Sequence, residues 1–280
     1  MTETKDALGD RMKAYEKVET GRRFMPGLPV IVRLDGHGFS RFTKGLQKPF
    51  DMRMVAAMAE TTKALVEKTH ARLGYTQSDE ITLVFMPKDD IEQYFFAGKV
   101  FKMKSVLAGL CSTLFYRNFE REWLARTGDA AHDLTALTRY LERNPHFDAR
   151  AFQVPVDYEA ANAVLWRVKD AERNAVQMAA QSLYSQKQLH KLSTETLRRK
   201  IAEGGLDFDA YPRAIRSGSF FQSVTELRPI PPEALERMKE KDRPADGMMR
   251  RASVQEVAAE GPVAYRTVAD LLGIVPVMDV

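Results

Sequence analysis

The sequence lacks the features that mark secreted, membrane-spanning or repetitive proteins. It contains a single cysteine, Cys111, which excludes an intrachain disulfide and gives no reason to expect an oxidising compartment. No run of about 18 apolar residues occurs, so no transmembrane helix is expected. The chain is charged and polar through Lys17, without the apolar core of a signal peptide. These absences, together with the lack of repeats and low-complexity tracts, predict a cytoplasmic protein with no membrane partner.

The composition is that of a soluble globular protein, with 44% hydrophobic and 29% charged residues among 280. This length allows one large domain or two small ones. The net charge of +4 is mildly basic; it is compatible with RNA or nucleotide binding but does not establish it, because the effect depends on where the charge clusters. Cys111 lies in an apolar stretch and is predicted to be a buried structural thiol.

Two short segments carry the strongest functional signal, because each places a carboxylate at the end of a β-branched, apolar run. The run 30–34 precedes Asp35, whereas Asp79 and Glu80 precede the run 81–85. A helix predicted over residues 51–73 lies between them, and a strand–helix–strand unit can bring the two aspartates together at one edge of a sheet. Such a pair suits Mg²⁺, which takes one or two carboxylates and leaves its other positions to water and phosphate. The arrangement is that of a two-metal nucleotidyl-transfer site.

Each segment taken alone also fits a plainer structure. An Asp-Gly after a strand is typical of a turn, and a Ser-Asp-Glu between strands is typical of a solvated hairpin tip. Their pairing favours the metal site, because clustered carboxylates repel one another unless a cation or a shared proton lies between them.

The order of elements predicts an α+β fold of the ferredoxin-like type, β-α-β-β-α-β, with added helices. The predicted strands are 30–34, 75–77, 81–85 and 151–154, and the predicted long helices are 51–73 and 91–126. The same fold forms the palm of many nucleotide polymerases and cyclases, which is an analogy of fold rather than of function.

Outside this unit, the pattern predicts a polar helix within residues 1–24 and helices at 158–184 and 193–203. A basic turn entering a strand is predicted at 211–221. A mobile, charged connection is predicted from Pro229, Pro231, Pro232 and the run 236–246. The apolar stretch 263–275 is expected to pack back on the body. The predicted division is a palm-like catalytic domain with a helical extension at residues 1–222, followed by a C-terminal accessory segment at residues 223–280.

With these residues in hand, the sequence resembles the tRNA-His guanylyltransferase family, and more closely its bacterial and archaeal guanylyltransferase-like branch. Four blocks carry the resemblance: Arg33-Leu34-Asp35-Gly36-His37-Gly38-Phe39-Ser40-Arg41-Phe42; Lys48-Pro49-Phe50-Asp51; Gln77-Ser78-Asp79-Glu80; and Trp166-Arg167 with Asp170 and Asn174. Weaker matches are Lys102 with Ser105, Phe147-Asp148-Ala149-Arg150, and Arg216-Ser217-Gly218. The similarity runs from about residue 25 to residue 222.

The resemblance implies a nucleotidyltransferase that adds nucleotides to the 5′ end of tRNA, in the 3′-to-5′ direction. A 5′-monophosphate is first activated with ATP, and the 3′-hydroxyl of an incoming GTP or other nucleoside triphosphate then attacks the activated end. Family members are commonly homotetramers, so a homo-oligomer is expected.

The resemblance also implies roles for individual residues. Two Mg²⁺ ions are expected on Asp35, Asp79 and the carbonyl of Gly36, with Glu80 as a further acidic residue needed for activity. The implied nucleotide-binding residues are Asp35, Gly36, His37, Gly38, Phe39, Ser40, Ser78, Lys102 and Lys44. The implied RNA-binding residues are Arg150, Arg167, Asn174 and Arg216. For the lysines a solvated helix face, and for His37 a plain turn, are the alternative interpretations.

The sequence departs from the family pattern after the Trp-Arg element. The tRNA-His-specific branch carries His-Ile-Asn-Asn there, whereas this chain has Glu172-Arg173-Asn174-Ala175. The usual Tyr-Arg-Lys-Gly likewise becomes Ile215-Arg216-Ser217-Gly218. These differences favour template-dependent repair of 5′-truncated tRNAs over strict guanylate addition to tRNA-His.

Two other classes of function fit parts of the pattern. A palm-type nucleotide cyclase, or cyclic oligonucleotide synthase, also pairs a strand-end aspartate with an acidic hairpin, but residues 77–80 are not the Gly-Gly-Asp-Glu-Phe signature of diguanylate cyclases. A non-catalytic RNA-binding palm has no use for clustered negative charge beside a polyanion.

Overall fold

The computed structural model describes residues 6–86, 94–126, 130–240, 243–244, 246–258 and 261–274. The strands are β1 (Val30–Gly36), β2 (Leu73–Gln77), β3 (Glu80–Phe85), β4 (Phe147–Gln153), β5 (Ser219–Pro229) and β6 (Met248–Val257). The helices are α1 (Ala7–Thr20), α2 (Phe39–Phe42), α3 (Met52–Thr69), α4 (Val100–Ala125), α5 (Ala130–Leu141), α6 (Asp157–Leu183), α7 (Gln186–Leu189), α8 (Thr194–Glu203), α9 (Arg213–Arg216), α10 (Pro232–Arg237) and α11 (Tyr265–Leu272).

The strands form one sheet in the order β4-β1-β3-β2-β5-β6, and neighbouring strands are antiparallel. Four of them, with α3 and α4, follow the chain order β1-α3-β2-β3-α4-β4. This confirms the predicted ferredoxin-like βαββαβ unit with added helices. Strands β5 and β6 extend the same sheet, and β5 runs across residue 222; the division of the chain at that residue stays a prediction.

The central strand β1 is apolar at successive positions because both of its faces are covered. Val30, Val32 and Leu34 pack in the core that includes the buried residues of α3 and α4. Ile31 lies in a second core, formed with buried alanines and valines of α6. Since side chains alternate along a strand, Arg33 and Asp35 point to the α6 side of the sheet.

Several predicted boundaries are wrong by a few residues. The helix predicted to reach 73 ends at Thr69, because His70 adopts a left-handed conformation (φ 56°) and β2 begins at Leu73. The fourth strand begins at Phe147 rather than 151. Strand β1 extends to Gly36, and Glu80 belongs to β3 rather than to the hairpin turn.

Other differences concern helices. Helix α5 was not predicted; its Leu137, Tyr140 and Leu141 are buried in the core that contains α3 and α4. The start of the helix predicted at 91 lies outside the described residues, and α4 begins at Val100. The predicted charged connection contains the last residue of β5, Pro229, and the whole of α10, with Pro232 at its first position. Residues 241, 242 and 245 within it lie outside the described residues.

Two predictions about buried groups are confirmed. Cys111 has no exposed surface, and burial raises the pKa of its thiol well above the ordinary value. The apolar C-terminal stretch packs back on the body through Val268, Ala269 and Leu272 of α11, which join the core beneath α6. No helix in the described ranges is long and apolar enough to span a membrane.

Asp51 caps α3, as its position predicts. Its carboxylate accepts hydrogen bonds from the backbone N–H groups of Gln47 (3.0 Å) and Arg53 (2.9 Å) and from the Arg53 guanidinium (2.6 Å). Burial acts to raise the pKa of Asp51, but these hydrogen bonds outweigh it and hold the pKa below its ordinary value.

Replacing Asp51 by alanine is therefore expected to lower the free energy of unfolding by about 1–2 kcal/mol at neutral pH. A carboxyl whose pKa is lowered by folding stabilises the protein above its unfolded-state pKa, and this contribution is lost as the pH falls through the folded-state pKa. Urea unfolding of wild type and Asp51→Ala, repeated from neutral to acidic pH, should show the difference shrinking. Asp6→Ala is the matched control, because Asp6 caps α1, which buries none of its residues. An Asp51→Ala deficit that stays constant into acid would contradict this account.

Candidate active site

The two carboxylate segments meet at one end of the central strands. The backbone N–H of Gly36 donates a hydrogen bond to the backbone carbonyl of Asp79 (3.0 Å), and Asp35 lies opposite Glu80 in the β1–β3 pairing. The β2–β3 turn consists of Ser78 and Asp79, with Ser78 in the left-handed region (φ 54°). The juxtaposition of Asp35 and Asp79 expected from the sequence is thus present.

A fourth carboxylate, that of Asp148, extends this acidic end of the sheet. Asp148 lies opposite Asp35 in the β1–β4 pairing, so Asp148, Asp35 and Glu80 form a row across three neighbouring strands. Residues opposite each other in antiparallel strands project to the same face. In the sequence, Asp148 falls in a weak motif to which no role is assigned. Alternation along a strand is the signal that could have found it, because Ala149 and Ala151 face the core and Asp148 therefore faces the opposite side.

Electrostatics at the acidic end fit a bound cation. Burial raises the pKa of Asp79, and the nearby charge of Asp35 raises it further, whereas a hydrogen bond from Ser78 opposes the shift. Two carboxylates that repel one another in this way are stabilised by a cation between them. No group of three or more His, Cys, Asp or Glu side chains with metal-ligand geometry occurs in the described residues. A pair of carboxylates with a backbone carbonyl is nevertheless a donor set that suits Mg²⁺.

Three arginines surround the carboxylates from the α6 side of the sheet. Arg167 of α6 forms a bidentate ion pair with Glu80, at 2.5 and 2.7 Å. Arg33 lies 3.6 Å from the same carboxylate. Burial raises the pKa of Glu80, and the two guanidinium groups oppose that shift. Arg150 approaches Asp35 (3.5 Å) and Asp148 (3.6 Å) at distances longer than good hydrogen bonds.

The loop after Asp35 folds tightly against the sheet. A Cβ atom on Gly36 would come within 2.4 Å of the Phe39 ring, so only glycine permits this approach. Gly38 adopts φ 67° and precedes α2. The rings of His37 and His146 are stacked, with their centroids 5.0 Å apart. The backbone N–H of His37 donates a hydrogen bond to the backbone carbonyl of His146 (2.9 Å). His37 thus lies in the turn between β1 and α2 and contacts His146, which directly precedes β4.

A cavity of about 350 Å³ opens beside Asp79. Its lining residues come from α2 and the loop after it, the start of α3, the β2–β3 turn, α6 and the segment around α9. They include Phe39, Ser40, Gln47, Asp51, Gln77, Ser78, Asp79, Met178 and Ile215. The volume falls in the range of small-molecule sites. Phe39, predicted to bind nucleotide, lines the cavity, although its ring is largely buried against Phe42, Phe115 and Phe147.

The structure does not bring every predicted site residue to the carboxylates. Lys102 lies near the start of α4, with its ammonium over the Phe96 ring (4.7 Å). The backbone of nearby Lys99 pairs in an isolated antiparallel β-bridge with Arg23, which precedes β1. That position is at the opposite end of β1 from Asp35.

Three further predicted residues have local partners elsewhere. The Lys44 carbonyl accepts a hydrogen bond from Arg143 (3.0 Å), the Asn174 amide donates to Asp170 (3.4 Å), and Arg216 pairs with Asp209 (3.7 Å). Their roles, and those of Lys102, stay predictions.

Known proteins resemble this chain over most of its length. The sequence matches the family model of tRNAHis guanylyltransferase over residues 9–155. An uncharacterized protein of Acanthamoeba polyphaga mimivirus is 35% identical over 214 residues, which cover 71% of this chain and 70% of that protein. The tRNA(His) guanylyltransferase of Schizosaccharomyces pombe is 26% identical over 166 residues, which cover 58% of this chain and 56% of that enzyme.

Two solved structures are also similar, both of a bacterial tRNA(His) guanylyltransferase (Thg1)-like protein. The complex with ATP has a TM-score of 0.66 and 31% identity, and the match covers 77% of this chain and 88% of that chain. The complex with GTP has a TM-score of 0.66 and 26% identity, and the match covers 94% of this chain and 99% of that chain.

Proposed function

Since this chain belongs to the tRNA(His) guanylyltransferase family of nucleotidyltransferases, we propose that it adds nucleotides to the 5′ end of tRNA in the 3′-to-5′ direction. The observation that carries the proposal is the meeting of Asp35 and Asp79 beside a cavity of nucleoside size. The bond that forms joins the 3′-oxygen of the incoming nucleotide to the activated 5′-phosphate of the RNA. The bond that breaks releases the group that ATP attached during activation.

Asp35, Asp79 and the Gly36 carbonyl are the residues that would hold Mg²⁺. When bound, the ions neutralise the charge that develops on the attacking and leaving oxygens. Burial raises the pKa of Asp79, and the nearby Asp35 charge adds to that effect, which supports this assignment.

The remaining groups position the substrates. The cavity at Ser40, Gln77 and Ser78 would take the incoming nucleoside triphosphate, and the loop at Gly36 and Gly38 would let backbone approach its phosphates. Arg150 lies on an exposed strand face beside Asp35, where it can neutralise phosphate charge. Transfer reactions of this kind depend on positioning and charge neutralisation more than on covalent chemistry by the protein.

Repair of 5′-truncated tRNA is the finer form of the proposal. The segment that replaces His-Ile-Asn-Asn is engaged in contacts within the helical part of the chain: Arg173 and Asn174 both bond Asp170 (2.8 and 3.4 Å). With these side chains held by Asp170, selection of the nucleotide would rest on pairing with the opposite RNA strand.

The proposal is tested with a labelled tRNA that lacks its first nucleotide, supplied with ATP, Mg²⁺ and each nucleoside triphosphate in turn. Extension only by the nucleotide that pairs with the opposite strand is the expected result. Swapping the opposing base should swap the nucleotide that is added. Extension by guanylate alone, whatever the opposing base, would contradict the repair role. A cyclic product from nucleotides without RNA would contradict the polymerase assignment itself.

A further inference from the structure

An aromatic and basic surface lies beside the carboxylates of Asp35 and Glu80, on the α6 side of the sheet. Trp166 of α6 is 53% exposed, although tryptophan carries one of the largest apolar surfaces among the side chains. Its ring lies near two guanidinium groups, with the Arg167 carbon 4.6 Å and the Arg33 carbon 6.0 Å from the ring centroid. Two guanidinium groups therefore lie close to the indole, while more than half of the residue stays exposed.

The neighbouring edge strand continues this surface. Arg150 of β4 lies opposite Arg33, and Phe152 of β4 lies opposite Ile31, so both project to the same face of the sheet as Arg33. Phe152 is 40% exposed, and the side chain of Arg150 is 57% exposed. Trp166, Arg33, Arg150 and Phe152, termed the Trp166 surface, thus lead along the sheet to Asp35.

The positive charge and the exposed aromatic rings of this surface suit single-stranded RNA. Both oxygens of Glu80 bond Arg167, and Arg33, whose side chain is 16% exposed, lies 3.6 Å from the same carboxylate and adds positive charge beneath the surface. Arg150 likewise makes only long contacts, so its guanidinium is available to a phosphate. Exposed aromatic rings interleaved with arginines stack unpaired bases and bind the phosphates between them.

We propose that the Trp166 surface binds unpaired nucleotides at the acceptor end of the tRNA, with one base stacked on the Trp166 indole and a phosphate on Arg150. This inference rests on the proposed function, because the Trp166 surface would bring the RNA to the carboxylates while the cavity beside Asp79 would hold the nucleoside triphosphate. The cavity is recessed between several segments, including α6 at Met178, whereas the Trp166 surface is open at the edge strand β4 and can receive a polymer.

The two tryptophans of the chain allow a direct test. Trp123 is 3% exposed, so quenching of the exposed population reports on Trp166. An acceptor-stem RNA with a single-stranded 3′ end, added without nucleoside triphosphates, should quench Trp166 emission and protect it from iodide. In Trp166→Phe, the same RNA should leave the remaining Trp123 emission unchanged.

Two comparison ligands locate the contact. A blunt-ended duplex of the same stem should bind without quenching, and ATP or GTP alone should not quench. Equal quenching by the blunt duplex or by free nucleotides would overturn the proposal, as would binding of the single-stranded RNA with unaltered Trp166 emission.

Kinetics provide a second readout. Trp166→Ala should raise KM for the truncated tRNA about tenfold or more, which is the effect expected from loss of one base–aromatic stack. KM for the nucleoside triphosphate should stay unchanged, and Trp166→Phe should retain most of the affinity for RNA. Tyr116→Ala, which removes a partly exposed aromatic ring on α4, is the matched control and should change neither constant.

Different results would contradict the Trp166 surface and the proposed function. Extension of truncated tRNA by the wild type, without quenching of Trp166, would reject the Trp166 surface and leave the proposed function standing. Quenching by single-stranded RNA without extension of any tRNA would reject the proposed function instead.

Discussion

Replacing Asp79 by asparagine is expected to lower the rate of nucleotide addition by about a hundredfold to a thousandfold or more, because it removes the charge that would hold the metal ions. The fold should persist, since the hydrogen bond from Gly36 goes to the backbone carbonyl of Asp79, which the substitution retains. Asp35→Asn should have a comparable effect. Single-turnover extension of truncated tRNA, with circular dichroism of each variant, measures both outcomes.

Mn²⁺ binding followed by electron paramagnetic resonance separates the assigned role from a general loss of activity. Both variants should bind fewer ions than the wild type. Asp270→Asn, a substitution at an exposed position on α11, is the control and should leave rate and binding unchanged. Loss of activity with Mn²⁺ occupancy unchanged would contradict the assignment of Asp35 and Asp79 as ligands.

Breaking the ion pair between Glu80 and Arg167 is expected to produce the largest change in stability. Their side chains are only 15% and 14% exposed, and the pair joins β3 to α6. Removal of one partner leaves a buried charge without its main counter-charge, which costs about 3–5 kcal/mol. Glu80→Ala and Arg167→Ala should each lower the free energy of unfolding by about 3 kcal/mol, as measured in urea.

The double variant Glu80→Leu/Arg167→Leu distinguishes a positioning role from a catalytic one. Apolar replacement of both partners should recover much of the lost stability. If Glu80 only positions α6, nucleotide addition should recover with it, whereas persistent inactivity in a stable double variant would show that the Glu80 carboxylate acts in the reaction. The exposed pair Arg199–Glu203 is the control, and its removal should cost less than about 1 kcal/mol.

The sequence predicted the parts of the fold that depend on local patterns. The apolar runs at 30–34 and 81–85 and the amphipathic helix between them placed the βαββαβ unit correctly. They also predicted the meeting of Asp35 with Asp79. These features follow from the spacing of apolar residues and from the residue types at turns, both of which are local properties of the sequence.

The features that the sequence did not predict arise from pairings between distant segments. The first half of β4 was missed because its inward residues are Phe147 and two alanines, while Asp148 and Arg150 face outward, so the strand has little apolar signal. The acidic row through Asp148 depends on the register of β4 with β1, which no local pattern specifies.

The partnership of Glu80 with Arg167 depends on how α6 crosses the sheet. The two residues are 87 positions apart, and their contact requires the packing of the α6 alanines and valines on Ile31 and Val84. The sequence assigned Glu80 to catalysis and Arg167 to RNA, and the structure joins them in one ion pair.

The direction of nucleotide addition is the central claim, and a tRNA with a blocked 3′ end tests it most directly. The substrate would lack its first nucleotide, carry a 5′-monophosphate, and end in a 3′-deoxynucleotide that cannot be extended. With ATP, Mg²⁺ and the pairing nucleoside triphosphate, the wild type should lengthen this RNA by a nucleotide that maps to its 5′ end, and Asp79→Asn should not. Failure to extend the blocked RNA, with extension of the same RNA when its 3′-hydroxyl is free, would contradict 3′-to-5′ transfer at this site.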